Sequence, residues 1–239
     1  VLLCAALVMA QACQRNEPHA DLDAIRAKLE QRFPEVPVRA IHTSSTLPGL
    51  LEVVTDTTVA YVDATGDHLF VGRVMHTETK RDLSSEAWDR YNAIDIASLP
   101  LDRAIKTVRG DGSRFLAVFS DPDCPYCKQL ENELEEIENA TIYTFLFPVE
   151  TNHPGAVERA KRIWCADNPN AAWRDWMLFG REPGSAVCAD SPVDDNVALG
   201  QHLRISSTPT LFFANGSRLS RNAAAKELER VLSIAKPTS

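Results

Sequence analysis

Two cysteines three positions apart, Cys124 and Cys127, stand in the stretch "FSDPDCPYCKQLENELEEI" with only Pro125 and Tyr126 between them. An apolar run precedes the pair and a helical pattern follows it. That order places Cys124 at a helix start, where free N–H groups and the macrodipole favour an anion. The anion in question is a thiolate, the attacking species in disulfide exchange. Cys127, one turn further in, can attack the mixed disulfide that Cys124 forms and release the substrate. Pro125 suits the first helical turn because it needs no N–H donor there, and Tyr126 offers a flat, partly apolar surface to a bound chain. Three other uses of the pair compete. A structural disulfide would close a short, strained ring. Half a zinc site would want a second CxxC or paired histidines. Haem attachment would want histidine where Lys128 stands. Thiol–disulfide redox chemistry fits the pattern best.

A second element bears on the same chemistry. "SSTPT", 206–210, puts Pro209 at the start of an apolar strand. A trans proline opening a strand is one reading. The other is a cis proline that leaves the backbone at Thr208 and Pro209 bare beside Cys124, where a substrate strand could pair. The CxxC upstream favours the second.

Both readings depend on where the chain works. Its first residues, "VLLCAALVMAQAC", are apolar through Ala12, and polarity begins with "QRNEP". Residues 1–12 read as the apolar core of a signal peptide ending in the small-residue pattern Ala10-Gln11-Ala12. Cys13 then has two fates, removal or lipid attachment. Either route exports the protein to the periplasm, where disulfides are permitted. Of six cysteines, Cys4 leaves with the signal, and Cys124, Cys127, Cys165 and Cys188 look like two pairs. The net charge of −8 comes without a basic block, which argues against a nucleic-acid partner. No apolar run reaches the roughly 20 residues that span a bilayer. His42, His68, His76, His153 and His202 show no ligand spacing and read as ordinary. No metal or cofactor is expected.

The elements that must position the cysteines follow from periodicity. Residues 21–77 form a small unit. "DLDAIRAKLEQRF" spaces Leu22, Ile25, Leu29 and Phe33 as one helix face, and "VRAIHT", "LLEVVTD", "TVAYVDA" and "HLFVGRV" read as short antiparallel strands. A unit of about 55 residues is marginal alone and commonly gains stability by association. Residues 78–99 read as a linker, helical from about 84 to 95. From 100 to 239 the pattern is α/β. "RAIKTV" and "RFLAVFS" are strands, and "TIYTFLFP" is an apolar strand of parallel-sheet type. Residues 154–205 are helical in composition. "TPTLFFANGSRLS" is a hairpin turning at Asn215-Gly216, and "AAAKELERVLSIA" is a closing helix. Trp164, Trp173 and Trp176 read as core of the helical stretch.

"CPYC", "TPT" and the closing strand and helix resemble the thioredoxin superfamily. More narrowly, "VFSDPDCPYCKQLE", "IWCADNPNAAWRDWM" and "NVALGQHLRISSTPTLFFANG" resemble the exported disulfide isomerases of the DsbC and DsbG family. The resemblance implies a small N-terminal dimerisation domain of helix and antiparallel sheet, a linker helix, and a C-terminal thioredoxin fold with a helical insert. It further implies a homodimer whose two active sites face one cleft and reshuffle wrong disulfides in exported proteins, kept reduced by an electron-donating membrane partner. Cys124 is then nucleophile and Cys127 resolving thiol, with Thr208 and Pro209 as the substrate edge. The insert's Cys165 and Cys188 are a structural pair, whose bond would add roughly 3 kcal/mol on the chain-entropy model. The isomerase type typically carries Gly-Tyr between its cysteines, whereas Pro-Tyr is the DsbG pattern. A dithiol oxidase or reductase of narrower range and a dimeric holdase chaperone are the alternatives.

Overall fold

An aspartate opens the first helix. In the computed structural model, which describes residues 20–236, Asp21 accepts a hydrogen bond from the Ala24 amide and caps α1, Leu22–Arg32. The described residues divide into two compact units, 20–55 with 60–71, and 56–59 with 72–236. The signal peptide read at 1–12 and the fate of Cys13 lie outside the described residues.

In the first unit α1 lies on a four-stranded sheet of β1, Ala40–Thr43, β2, Leu50–Val54, β3, Val59–Asp63, and β4, Leu69–Phe70, in that order. β1 pairs antiparallel with β2, and β3 with β4. Ile25 and Leu29 of the helix join Ile41, Leu51, Val53, Ala60 and Val62 in one core. The expected helix face is half realised, because Leu22 and Phe33 at its ends stay exposed beyond the reach of the short sheet. The last expected strand is cut to two residues, and Phe70 and Val71 face outward.

The second unit begins with α2, Leu83–Tyr91, capped by Asp82, which accepts from the Ser85 amide. It is shorter than the helix expected over 84–95, and two single turns, Ile96–Ser98 and Leu101–Arg103, follow it. Nor does it behave as a free connector. Asp89 is buried and accepts hydrogen bonds from the Ser220 amide at 3.2 Å and hydroxyl at 2.7 Å, with Arg218 Nε 3.5 Å away. A carboxylate this far from water is held by its partners, so α2 is part of the second unit.

The main sheet runs β5, Ile105–Arg109, β7, Ala140–Leu146, β6, Arg114–Ser120, β8, Thr210–Phe213, and β9, Arg218–Leu219, from one edge to the other. Only the β6–β7 pairing is parallel. The crossover between them is α3, Pro125–Leu134. Leu116 and Val118 point to the face covered by α3 and α7, Ala225–Ile234. Ala117 and Phe119 point to the other, where Phe119 stacks on Phe145 at 4.7 Å. Burial on both faces explains why these strands read as unbroken apolar runs. Gly216 has φ +79° in the β8–β9 turn, and a Cβ there would sit 2.0 Å from the Ile94 carbonyl.

The insert contributes α4, Ala156–Trp164, α5, Pro169–Phe179, and α6, Val193–His202. Ala160, Ile163, Trp173, Met177 and Val193 pack around Cys124 and Cys127. Cys165, at the end of α4, is disulfide-bonded to Cys188, with their Cα atoms 5.5 Å apart. Replacing both by alanine should lower unfolding free energy by about 3 kcal/mol while leaving interchange rates intact, as urea titration and a peptide-oxidation assay would show. Loss of exchange in the folded double variant would contradict a purely structural bond.

Candidate active site

β6 delivers the chain at Ser120 to the loop Asp121-Pro122-Asp123. Cys124 then takes the cap position of α3, with extended backbone, and Pro125 is the first helical residue. Both Cys124 and Cys127 carry free thiols. The Cys124 thiol donates to the Thr208 carbonyl at 3.5 Å, across the fold at the head of β8, and the Thr208–Pro209 peptide bond is cis. Tyr126 is 58% exposed on the same turn. Cys127 is fully buried, and its sulfur accepts from the Asp121 amide at 3.4 Å.

The two thiols are driven apart. A hydrogen bond from the Cys127 thiol pulls the Cys124 pKa down to about 5, against burial, with help from the Thr208 side-chain hydroxyl and from the amides of Cys127 and Tyr126. Burial pushes Cys127 far up, and its donation to Cys124 pushes it further. One group is an anion at neutral pH and the other keeps its proton, the division that attack followed by resolution requires.

Asp121 holds the loop. Its carboxylate is fully buried and accepts from the Asp123 amide at 2.7 Å, the Val149 amide at 2.7 Å and His153 Nδ1 at 2.8 Å. The Asp121 hydrogen bond raises the His153 pKa, and attraction to Cys124 adds to it. The spacing of His153 gave no sign of this partnership with the buried carboxylate that holds the loop before the nucleophile. Trp176 is a second residue whose place the sequence hid. Its indole N–H donates to the Pro122 carbonyl at 2.7 Å, and its ring lies 4.1 Å from Lys128 Nζ and 4.2 Å from the Arg159 guanidinium. Arg159 in turn pairs with Asp123. Among the described residues no group of three His, Cys, Asp or Glu side chains converges as a metal site.

Comparison with known proteins gives the same two parts. Residues 101–235 match the thioredoxin-like domain family, and residues 16–85 match the disulfide bond isomerase protein N-terminal domain. The probable thiol:disulfide interchange protein DsbC of Bordetella pertussis is 40% identical over 218 residues, covering 91% of this chain and 76% of the relative. The chain belongs to the DsbC family. The DsbC of Escherichia coli K12 is 26% identical over 193 residues, 77% of each chain. A disulfide interchange protein from Neisseria gonorrhoeae superposes with a TM-score of 0.57 at 40% identity, covering 59% of this chain and all of that one. This DsbC-family protein is thus a thiol:disulfide oxidoreductase built from an isomerase N-terminal domain and a thioredoxin fold. Among the described residues, no helix is long and apolar enough to cross a membrane.

Proposed function

We propose that the protein is a periplasmic disulfide isomerase that reshuffles wrong disulfides in exported proteins as a homodimer. The observation that carries this reading is the Cys124 thiol beside the Thr208 carbonyl, 3.5 Å away. An extended substrate lying along Thr208 and Pro209, against Pro125 and Tyr126, brings its disulfide to that sulfur. Cys124 attacks, a mixed disulfide forms, and the substrate's freed thiol attacks another of its own disulfides. Cys127 ends unproductive encounters by displacing the substrate. A membrane electron donor returns the pair to the dithiol state. Residues 1–12 direct export, and Cys13 is cleaved away or carries lipid, which the mass of the mature protein distinguishes.

Dimerisation falls to the N-terminal module, whose match to an isomerase N-terminal domain supports the assignment. Two active sites facing one cleft keep an unfolded chain bound while its cysteines find new partners. Simple oxidation needs one collision with one CxxC. Full-length protein should sediment as a dimer and unscramble a multi-disulfide substrate. A chain starting at Gly72 should be monomeric, oxidise a dithiol peptide, and lose most unscrambling. A monomer that unscrambles at the full rate would remove the module from the mechanism. An aggregation assay on Cys124→Ser separates the holdase alternative, which would survive the substitution.

A further inference from the structure

A buried carboxyl group lies one helical turn beyond the resolving thiol. Glu131 follows Cys127 by four positions on α3, so the two share a face, about 5–6 Å apart at Cβ. A helical side chain leans toward the N-terminus, over the preceding turn. For Glu131 that turn is the one carrying Cys127. Glu131 is 8% exposed, Cys127 is fully buried, and Trp173 of α5 is 3% exposed. The Trp173 indole N–H donates to Glu131 Oε1 at 2.9 Å, and Trp173 packs in the same cluster as both cysteines. The charged groups acting on Glu131 are Arg109 of β5, which favours its anion, and Glu135 of its own helix, which opposes it. Glu135 is itself paired with Arg109 and with Arg174 of α5.

The geometry points to Glu131 as the proton acceptor for Cys127 in the resolving step, and the inference rests on the roles proposed above for the two cysteines. Resolution requires a thiolate from a thiol that burial holds protonated. Glu131 takes the Cys127 proton, directly or across one water. The Cys127 sulfur attacks Cys124 Sγ, the Cys124–substrate disulfide breaks, and the Cys124–Cys127 disulfide forms. The electron pair leaves on the substrate sulfur, which takes a proton from solvent, and Glu131 returns its own proton to solvent. Two protein thiols are oxidised and one substrate disulfide is reduced. Burial lifts the Glu131 carboxyl to about 7, against the Trp173 hydrogen bond and Arg109, which matches it to proton exchange at neutral pH.

The test uses reduced full-length protein and oxidised glutathione, with acid quenching and mass spectrometry to separate the two steps. Attachment of glutathione to Cys124 reports attack, and its release reports resolution. In the wild type, release should accelerate through an inflection near neutral pH. Glu131→Gln keeps an acceptor for Trp173 and nearly the same volume. It should leave attachment unchanged, slow release by about a hundredfold and abolish the inflection. Trp173→Phe keeps the carboxyl but removes its donor, so the inflection should move to higher pH, a change that a packing role would not produce. Release from Glu131→Gln at the wild-type rate and pH profile would overturn the inference, as would equal slowing of both steps. Wild-type protein that never forms the Cys124–Cys127 disulfide would instead overturn the assignment of Cys127.

Discussion

Iodoacetamide applied to the reduced protein at mildly acidic pH should label Cys124 and spare Cys127. The rate should follow a thiolate that forms near pH 5, where the hydrogen bond from Cys127 holds the Cys124 ionisation. Among the described residues, Cys124→Ser should leave almost no reactive thiol, because Cys127 is buried and its pKa is raised, and the substitution should abolish interchange. The same ionisation shapes the redox potential. The depressed pKa stabilises the reduced fold; that stabilisation is fully present above the ordinary thiol value of 9.0 and is lost as pH falls through about 5. Below pH 5 two protons accompany two electrons, and the potential should fall by about 60 mV per pH unit; above it one proton remains, and the slope should halve to about 30 mV. Equilibration with glutathione across this range measures both slopes. Equal labelling of the two cysteines, or preference for Cys127, would reverse the roles given to them, and a bend near 9 with none near 5 would leave Cys124 an ordinary thiol.

Arg218→Met should cost the second unit about 3–5 kcal/mol, the usual penalty for leaving one member of a buried ion pair alone. The Arg218 side chain is fully buried and that of Asp89 is 9% exposed. Arg218 also donates to the Leu203 and Arg204 carbonyls, each at 3.0 Å, and to Ser220 Oγ at 2.7 Å. Burial pushes the Asp89 carboxyl up and the Arg218 guanidinium down, so each charge depends on the other. Replacing Asp89 by leucine in the Arg218→Met background should recover part of the loss, since an apolar pair leaves no buried charge behind. Urea unfolding of the single and double variants measures this. A loss under about 1 kcal/mol in Arg218→Met would place the pair among exposed bridges of little consequence.

Periodicity made the central sheet legible. "RFLAVFS" and "TIYTFLF" are apolar on both faces because helices cover both faces, and they form the parallel pair β6–β7. The start of α3 was equally readable, since Pro125 and the apolar phase of Leu130 and Leu134 fix where the helix begins and which side it buries. What stayed hidden depends on partners distant in the chain. His153 is unremarkable until the fold brings Asp121 to it from 32 positions away. Glu131 sits in the acidic run "ENELEE", which carries no sign of its burial. Its one local sign is its helical phase, shared with Cys127, and Trp173 lies 42 positions on. The true character of α2 was invisible for the same reason, because Ser220, its anchor, is 131 positions after Asp89. Single-chain patterns carry burial well, but they do not carry which polar group meets which.

The docking of α2 has a further consequence for a protein whose proposed clients are unfolded chains. β9 is the outermost strand on one side of the main sheet and β5 on the other. An open strand margin is a template on which any stray extended chain can add itself, without chemistry and without an obvious exit. Along β9 that margin is occupied: Asp89 takes the Ser220 amide, and the Gly216 carbonyl accepts from the Ile94 amide at 3.0 Å. Along β5, the Lys106 carbonyl accepts from the Asn170 side chain at 3.0 Å. Under the proposed function, stoppers at both margins would steer an arriving client away from sterile pairing and toward the backbone that lies against the reactive sulfur, so that adhesion and reaction would happen at one place.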